Sequence, residues 1–520
     1  MAERGKTGDR RQGLGNRARS MAVRALGEVS SFAHPSPAEI YGRSAQQDAS
    51  TRNPLILIPG ILGSRLVWKN ATGEEDDYLW GGSDKAGFAD PEDPKAVQKI
   101  IHPMEPGTPL HDLTDEVRSA GSLTKLRLSM LGFPIEVRAY EAILRMLGVG
   151  DYEASLQTKG SRMRAQLDYG WTALSTCFQF DYDWRRSIPE NARLLARFIE
   201  QVRTFSARDA RVCDPEGLKV DVVAHSMGGL MLRYYMRYGD QLLPEDGSPP
   251  KLTWAGAKNV EHAIMIGTPN AGSTMSLDKL VHGLPATPAT PGYASSFLGT
   301  FPSIYQLLPR SRHRFFIDEA TGEPIEDLLS IERWMKMRWG LANPAIEDHL
   351  AMMLPDVDAP ARRAIALDHL AKCLRETERV QAALDLPANA PRDLALHLFA
   401  GDGARTPRHV EVGVGDQKFR NAATEFGDGT VLRSSALMDE RMAEDEPGPR
   451  VVTPIRWDAV TFIPTHHLTL TRHPTFINNA LYILLEKPRP TCLYRAPQAA
   501  AAPAAAQPGG RANGAATGTT

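Results

Sequence analysis

No apolar run in this 520-residue chain approaches the roughly 20 residues that a membrane-spanning helix needs, because Pro or Gly interrupts the longest candidates within a few positions. An integral membrane protein is therefore not expected. Cysteine is scarce: Cys177, Cys213, Cys373 and Cys492 lie scattered with no C-x-x-C pair, which argues against a zinc module, a redox motif or a disulfide scaffold. Neither sign of charge is in excess, with 60 Lys+Arg against 62 Asp+Glu, so no overall basic field invites nucleic acid, and no nucleic-acid partner is expected. The N-terminus is locally basic, with Arg4, Lys6, Arg10, Arg11, Arg17, Arg19 and Arg24 against Glu3 and Asp9, yet no apolar core of a secretory signal follows. The expected location is cytoplasmic, signal-independent export being compatible with the same sequence. The basic arm reads as a solvated tail, compatible with peripheral contact with a membrane or lipid surface.

What is present is ordinary globular composition, 42% hydrophobic and 23% charged. Residues 1–50 read as a disordered basic leader. The tail 495–520 is Ala, Pro, Gly and Thr with hardly any large apolar side chain, and cannot offset its own ordering entropy. Between them, strand-sized apolar runs fall at Leu55–Ile58, Phe178–Tyr182, Val220–Ala224, Ala263–Ile266, Leu394–Ala400 and Val460–Ile463. They alternate with helical patterns, the signature of a mostly parallel α/β sheet with helices on both faces. After Ser226 the apolar residues Met227, Leu230, Met231, Tyr234, Tyr235 and Tyr238 follow the spacing of one helix face. Pro189 and Pro474 mark first turns of helices reaching about Phe205 and Glu486. Residues 275–390 interrupt the alternation and are expected to be an inserted helical cap between core segments 51–274 and 391–494. A helix predicted near Leu328–Leu341 carries Trp334 and Met335 facing more than one side, candidates to contact both the sheet domain and an apolar ligand.

The segment Val220-Asp-Val-Val-Ala-His-Ser-Met-Gly-Gly229 reads as strand, tight turn and helix around Ser226. A serine hydroxyl is a poor nucleophile unless it is exposed on a sharp turn beside a base, with backbone N–H groups aimed at the developing oxyanion. Such an elbow needs small residues two before and two after the serine, here Ala224 and Gly228. Leu55-Ile-Leu-Ile-Pro-Gly-Ile-Leu-Gly-Ser64 offers the companion loop, which makes the N–H groups of Ile61 and Met227 the expected oxyanion donors. For the acid, Asp402 and Asp428 both follow plausible sheet elements; for the base, His466 and His467 precede a helix, with His473 close behind. The order Ser, Asp, His is that of an α/β-hydrolase triad, but order alone does not choose between these candidates. The His-His pair lacks a third ligand at helical spacing, so no metal and no cofactor are expected.

With these residues in view, the chain resembles the lecithin:cholesterol acyltransferase-like lipases and acyltransferases. The resemblance rests on Pro59-Gly-Ile-Leu-Gly-Ser64, Tyr182-Asp-Trp-Arg185, Ala224-His-Ser-Met-Gly228, Gly267-Thr-Pro-Asn-Ala-Gly272, Gly427-Asp-Gly-Thr-Val431 and His467-Leu-Thr-Leu470, in that order, across most of residues 53–486. It implies an α/β-hydrolase fold with Ser226 as nucleophile, Asp428 as acid, His467 as base, and Ile61 and Met227 as oxyanion donors. It also implies a lipid ester as substrate, phospholipid or acylglycerol, with an alcohol or water as acyl acceptor. Two features depart from the family. No cysteine precedes Cys177, so the loop after the first strand has no disulfide staple, and the cap is not closely matched. Trp68 and Trp80 lie in that loop region and are further candidates to lean on a lipid chain. A soluble esterase for small esters, and a catalytically silent lipid-binding or scaffold protein, are the alternatives.

Overall fold

The computed structural model describes residues 37–45, 52–69, 77–82, 87–123, 126–130, 133–137, 176–208, 216–287, 290–415, 419–444 and 447–486. The described residues belong to one folded unit. Its strands are β1 (Leu55–Ile58), β2 (Ser64–Trp68), β3 (Asp77–Trp80), β4 (Val117–Ser122), β5 (Leu126–Met130), β6 (Phe133–Val137), β7 (Cys177–Gln179), β8 (Val220–His225), β9 (Val260–Ile266), β10 (Phe316–Asp318), β11 (Ala395–Gly401), β12 (Ala404–Val412), β13 (Phe419–Gly427) and β14 (Ala459–Ile463).

Six of them form the central sheet, in the order β14-β11-β9-β8-β1-β7, and every pairing is parallel. Each of the six apolar runs of the sequence overlaps one of these strands, although β7 ends at Gln179 and the expected run extends to Tyr182. Every residue of β1 and β8 is buried, the mark of a parallel sheet covered on both faces, and it explains why these strands read as continuous apolar runs rather than alternating ones. The helix Ile188–Ser206 starts with Pro189 in its first turn, and a capping box joins Ser187 and Glu190, whose carboxylate accepts from the Ser187 amide at 3.1 Å. Ala192, Leu195, Phe198, Ile199 and Val202 form its buried face. The helix Met227–Tyr238 is buried along its whole length, and its last tyrosine donates to the Ala383 carbonyl at 2.7 Å.

The region expected to be a cap contains helices Thr274–His282, Ile331–Met337 and the 27-residue Ala359–Asp385. It also contains β10, which pairs parallel to β12 and so joins the β12–β13 hairpin; the purely helical expectation is corrected there. The predicted helix at 328–341 is shorter, because Arg338 turns to φ 54° and ends it before a separate 3-10 turn at Gly340–Ala342. Part of the expected leader is folded. Residues 37–45 form a helix in which Tyr41 is buried and donates to the Asn478 carbonyl at 2.7 Å. Residues 1–36 and the tail 495–520 lie outside the described residues. Cys177 and Cys373 are buried free thiols. Among the described residues, no helix is long and apolar enough to cross a membrane.

Candidate active site

Ser226 sits between β8 and the helix Met227–Tyr238 with φ 53° and ψ −125°, a conformation that is strained for any residue but glycine. Its amide donates to the Ile266 carbonyl on β9 at 2.8 Å, which holds the turn onto the sheet. The small residues around it answer to their neighbours. A Cβ on Gly228 would lie 2.5 Å from the Pro59 carbonyl oxygen, and one on Gly229 would lie 2.0 Å from Thr268 Oγ1. The helix can therefore start only because it presents two bare backbones to adjacent strand ends.

The loop after β1 closes over the serine. A Cβ on Gly60 would lie 2.9 Å from Ser226 Cβ, Leu62 holds φ 61°, and the Gly63 amide donates back to the Gly60 carbonyl at 3.0 Å. Three side chains brace this loop and the start of β2: Tyr182 Oη donates to the Pro59 carbonyl, Trp80 Nε1 to Leu62, and Trp184 Nε1 to Ser64, each at 3.0 Å. Arg185 is fully buried between Asp183 and Asp115, at 2.7 and 2.8 Å, and also donates to the Ile100 and Ile101 carbonyls. The Tyr182-Asp-Trp-Arg185 motif is thus the buttress of the loop. Among the described residues, neither the Ile61 nor the Met227 amide donates to a protein acceptor.

Of the acid and base candidates, the fold brings Asp428 and His467 to the serine. His467 Nε2 lies 3.1 Å from Ser226 Oγ, and His467 Nδ1 lies 2.7 Å from Asp428 Oδ2. The Asp428 main-chain carbonyl accepts from the His467 amide at 2.9 Å, so acid and base are joined twice. The other carboxylate oxygen of Asp428 accepts from the Thr430 and Val431 amides at 2.9 and 2.7 Å, in the turn that follows β13. All three side chains are buried. Asp402 is held elsewhere, its amide on the Ile463 carbonyl at 3.0 Å, and His466 is exposed. His473 Nδ1 accepts from the Thr475 amide at 3.2 Å and caps the helix Pro474–Leu481.

Three glycines make room for the three side chains. Besides Gly60 against Ser226, a Cβ on Gly267 would lie 3.0 Å from both Cε1 and Nδ1 of His467, and one on Gly401 would lie 2.5 Å from Asp428 Cβ. Sequence reasoning missed Gly401, and it missed His225, whose ring centroid is 4.9 Å from that of His467. The signal for His225 was its place immediately before Ser226. Burial, and then the neighbouring His467, push its pKa down to about 3, so it stays neutral.

The acyl-contact candidates separate. Trp80 and Trp334 are core residues: Trp80 packs edge-on against Phe88 and Trp184, and Trp334, wholly buried, donates to the Leu328 carbonyl at 2.8 Å and packs against Tyr305 and Trp339. Met335 points the other way and is 44% exposed. Trp334 and Met335 thus face different sides of their helix, because consecutive helical residues point about 100° apart. Trp68 lies at a cavity of about 500 Å³, shared with Ile101, Met104, Met353 and Leu354.

Residues 163–338 match the family model of lecithin:cholesterol acyltransferase. The matched segment holds Ser226 and the Gly267–Gly272 motif, whereas Asp428 and His467 lie beyond it. No curated protein matches the chain. Among solved structures, a chain in the crystal structure of the Tle4–Tli4 complex aligns with a TM-score of 0.51 at 15% identity, over 83% of this chain and 97% of that one, a likeness of fold. The chain is therefore similar over residues 163–338 to the lecithin:cholesterol acyltransferase family, a similarity carried on an α/β fold.

Proposed function

We propose that the protein is a serine-dependent enzyme that takes an acyl group from a lipid ester, phospholipid or acylglycerol, and passes it to an alcohol or to water. The observation that carries this reading is the unbroken line Ser226 Oγ, His467, Asp428, with contacts of 3.1 and 2.7 Å. Ser226 Oγ attacks the ester carbonyl while its proton moves to His467 Nε2. Asp428 holds the imidazole by Nδ1–H and stabilises its charged form. The Ile61 and Met227 amides take up the negative charge on the carbonyl oxygen. Collapse of the tetrahedral intermediate breaks the ester C–O bond, the leaving alcohol takes the proton from His467, and the acyl group stays on Ser226. An acceptor hydroxyl, deprotonated by His467, then attacks the acyl-serine and regenerates the enzyme.

The test is labelling by a fluorophosphonate probe, whose phosphorus only an activated serine attacks rapidly, with loss of fluoride, joined to mass spectrometry of the products from a phospholipid with and without a fatty alcohol. Labelling at Ser226 that is lost in Ser226→Ala is the expected result. Unchanged labelling of that variant would overturn the reading. A small-ester esterase is indicated instead if activity falls between butanoyl and octanoyl esters, assayed below micelle formation.

A further inference from the structure

The candidate base has a neighbour that the chemistry above leaves without a role. His225 ends β8, is 2% exposed, and has its ring inclined 41° to that of His467 at a centroid distance of 4.9 Å. The same ring is hydrogen-bonded to the His467 backbone. It also abuts the loop after β1: a Cβ on Gly60 would come within 3.3 Å of His225 Nδ1.

His467 belongs to a 3-10 turn, His467–Arg472, rather than to the sheet. Its bonds to Ser226 and Asp428 hold the imidazole along the line through its two nitrogens, but they leave the ring free to tilt about that line. Catalytic groups act at full rate only when their supporting shell fixes them to within about half an ångström. β8 is buried over all six residues between β1 and β9, so it is a rigid place from which to supply that support. Gly267, with φ 56°, bounds the imidazole with bare backbone that leaves no slack, since a Cβ there would be 3.0 Å away.

We propose that His225 is a positioning residue for His467, and that its ring contact and its hydrogen bond to the His467 backbone keep the base aligned between Ser226 Oγ and Asp428. The inference rests on the reading of Ser226 as nucleophile and His467 as base. A histidine suits the role because burial holds it neutral, which sets no second positive charge beside the imidazolium formed during acylation.

The full-length protein tests this through His225→Ala, which removes ring and hydrogen bond, and His225→Asn, which keeps an N–H near the place of Nδ1. Turnover of a short acyl ester is measured per Ser226 site titrated with the fluorophosphonate. In His225→Ala, kcat per titrated site is expected to fall about 10- to 100-fold, the cost of misplacing a catalytic group by a fraction of an ångström to an ångström, with KM within about threefold of wild type. His225→Asn is expected to fall between the two. Should His225→Ala not fold, His225→Asn carries the test alone, and its reduced kcat at unchanged KM supports the proposal. Wild-type kcat per titrated site in either folded variant overturns it, leaving the serine reading intact. Failure of the wild-type protein to label at Ser226 overturns the serine reading and this inference together.

Discussion

At the scale of single residues, the backbone of Ser226 is under tension. Its φ of 53° and ψ of −125° cost on the order of 1–3 kcal/mol for a residue with a side chain, and almost nothing for glycine. Ser226→Gly should therefore unfold at higher denaturant, by about 1 kcal/mol, while losing all turnover; lower stability would mean that the hydrogen bond to His467 outweighs the strain. The acid and base assignments are open to the same kind of test. Asp428→Asn should lower kcat by about 10⁴-fold, because the amide favours the wrong tautomer of the base, and His467→Ala should be comparably damaging. Asp402→Asn and His466→Ala should each cost less than about tenfold. A larger loss from Asp402→Asn than from Asp428→Asn, with unchanged circular dichroism, would move the acid to Asp402.

At the scale of elements, the helix Ile331–Met337 separates packing from surface. Trp334 is fully enclosed by Tyr305, Trp339 and the Leu328 carbonyl, so Trp334→Ala should destabilise by about 3–5 kcal/mol in denaturant unfolding. Met335→Ala should change stability by less than about 0.5 kcal/mol. Equal effects would mean that the helix is differently oriented. Apolar composition announced that helix but not its facing. The inner strands β1, β8, β9 and β11 were legible for the opposite reason: buried almost throughout, they need no facing and appear as plain apolar runs. β12 and β13 do not stand out as apolar runs because one contains Pro407 and the other, Phe-Arg-Asn-Ala-Ala-Thr-Glu-Phe-Gly, is mostly exposed, with register shifts between them around His409. Since Asp428 hangs from the end of β13, only resemblance to a family favoured it over Asp402. The helix at 37–45 was hidden because much of its reason for existing is tertiary, Tyr41 against Asn478.

At the scale of the whole molecule, several histidines are folded away without charge. Burial lowers His369 to about 4 and His225 to about 3, and holds His102 well below the ordinary histidine range. Unfolded, each would titrate near pH 6.5, so below that pH the unfolded chain binds more protons than the native one. Stability is then present above pH 6.5 and is lost as pH falls toward 4, by up to about 1.4 kcal/mol per pH unit for each histidine. The urea midpoint should accordingly drop between pH 7 and 5, and drop less in His369→Gln. An identical slope in the variant would remove His369 from the account.

The strand order of the central sheet has a consequence for how the protein comes to life. Gly60, Ser226, Asp428 and His467 meet in one place, yet more than 400 residues of chain separate the first from the last. Parallel sheets built from such distant pieces assemble slowly. During synthesis, the proposed active centre cannot exist until the ribosome has released nearly everything through β14 and the turn after it. Serine reactivity is therefore a clock for completion of the fold: in a refolding experiment, covalent capture by the phosphonate should lag behind recovery of secondary structure, arriving only with the last native molecules.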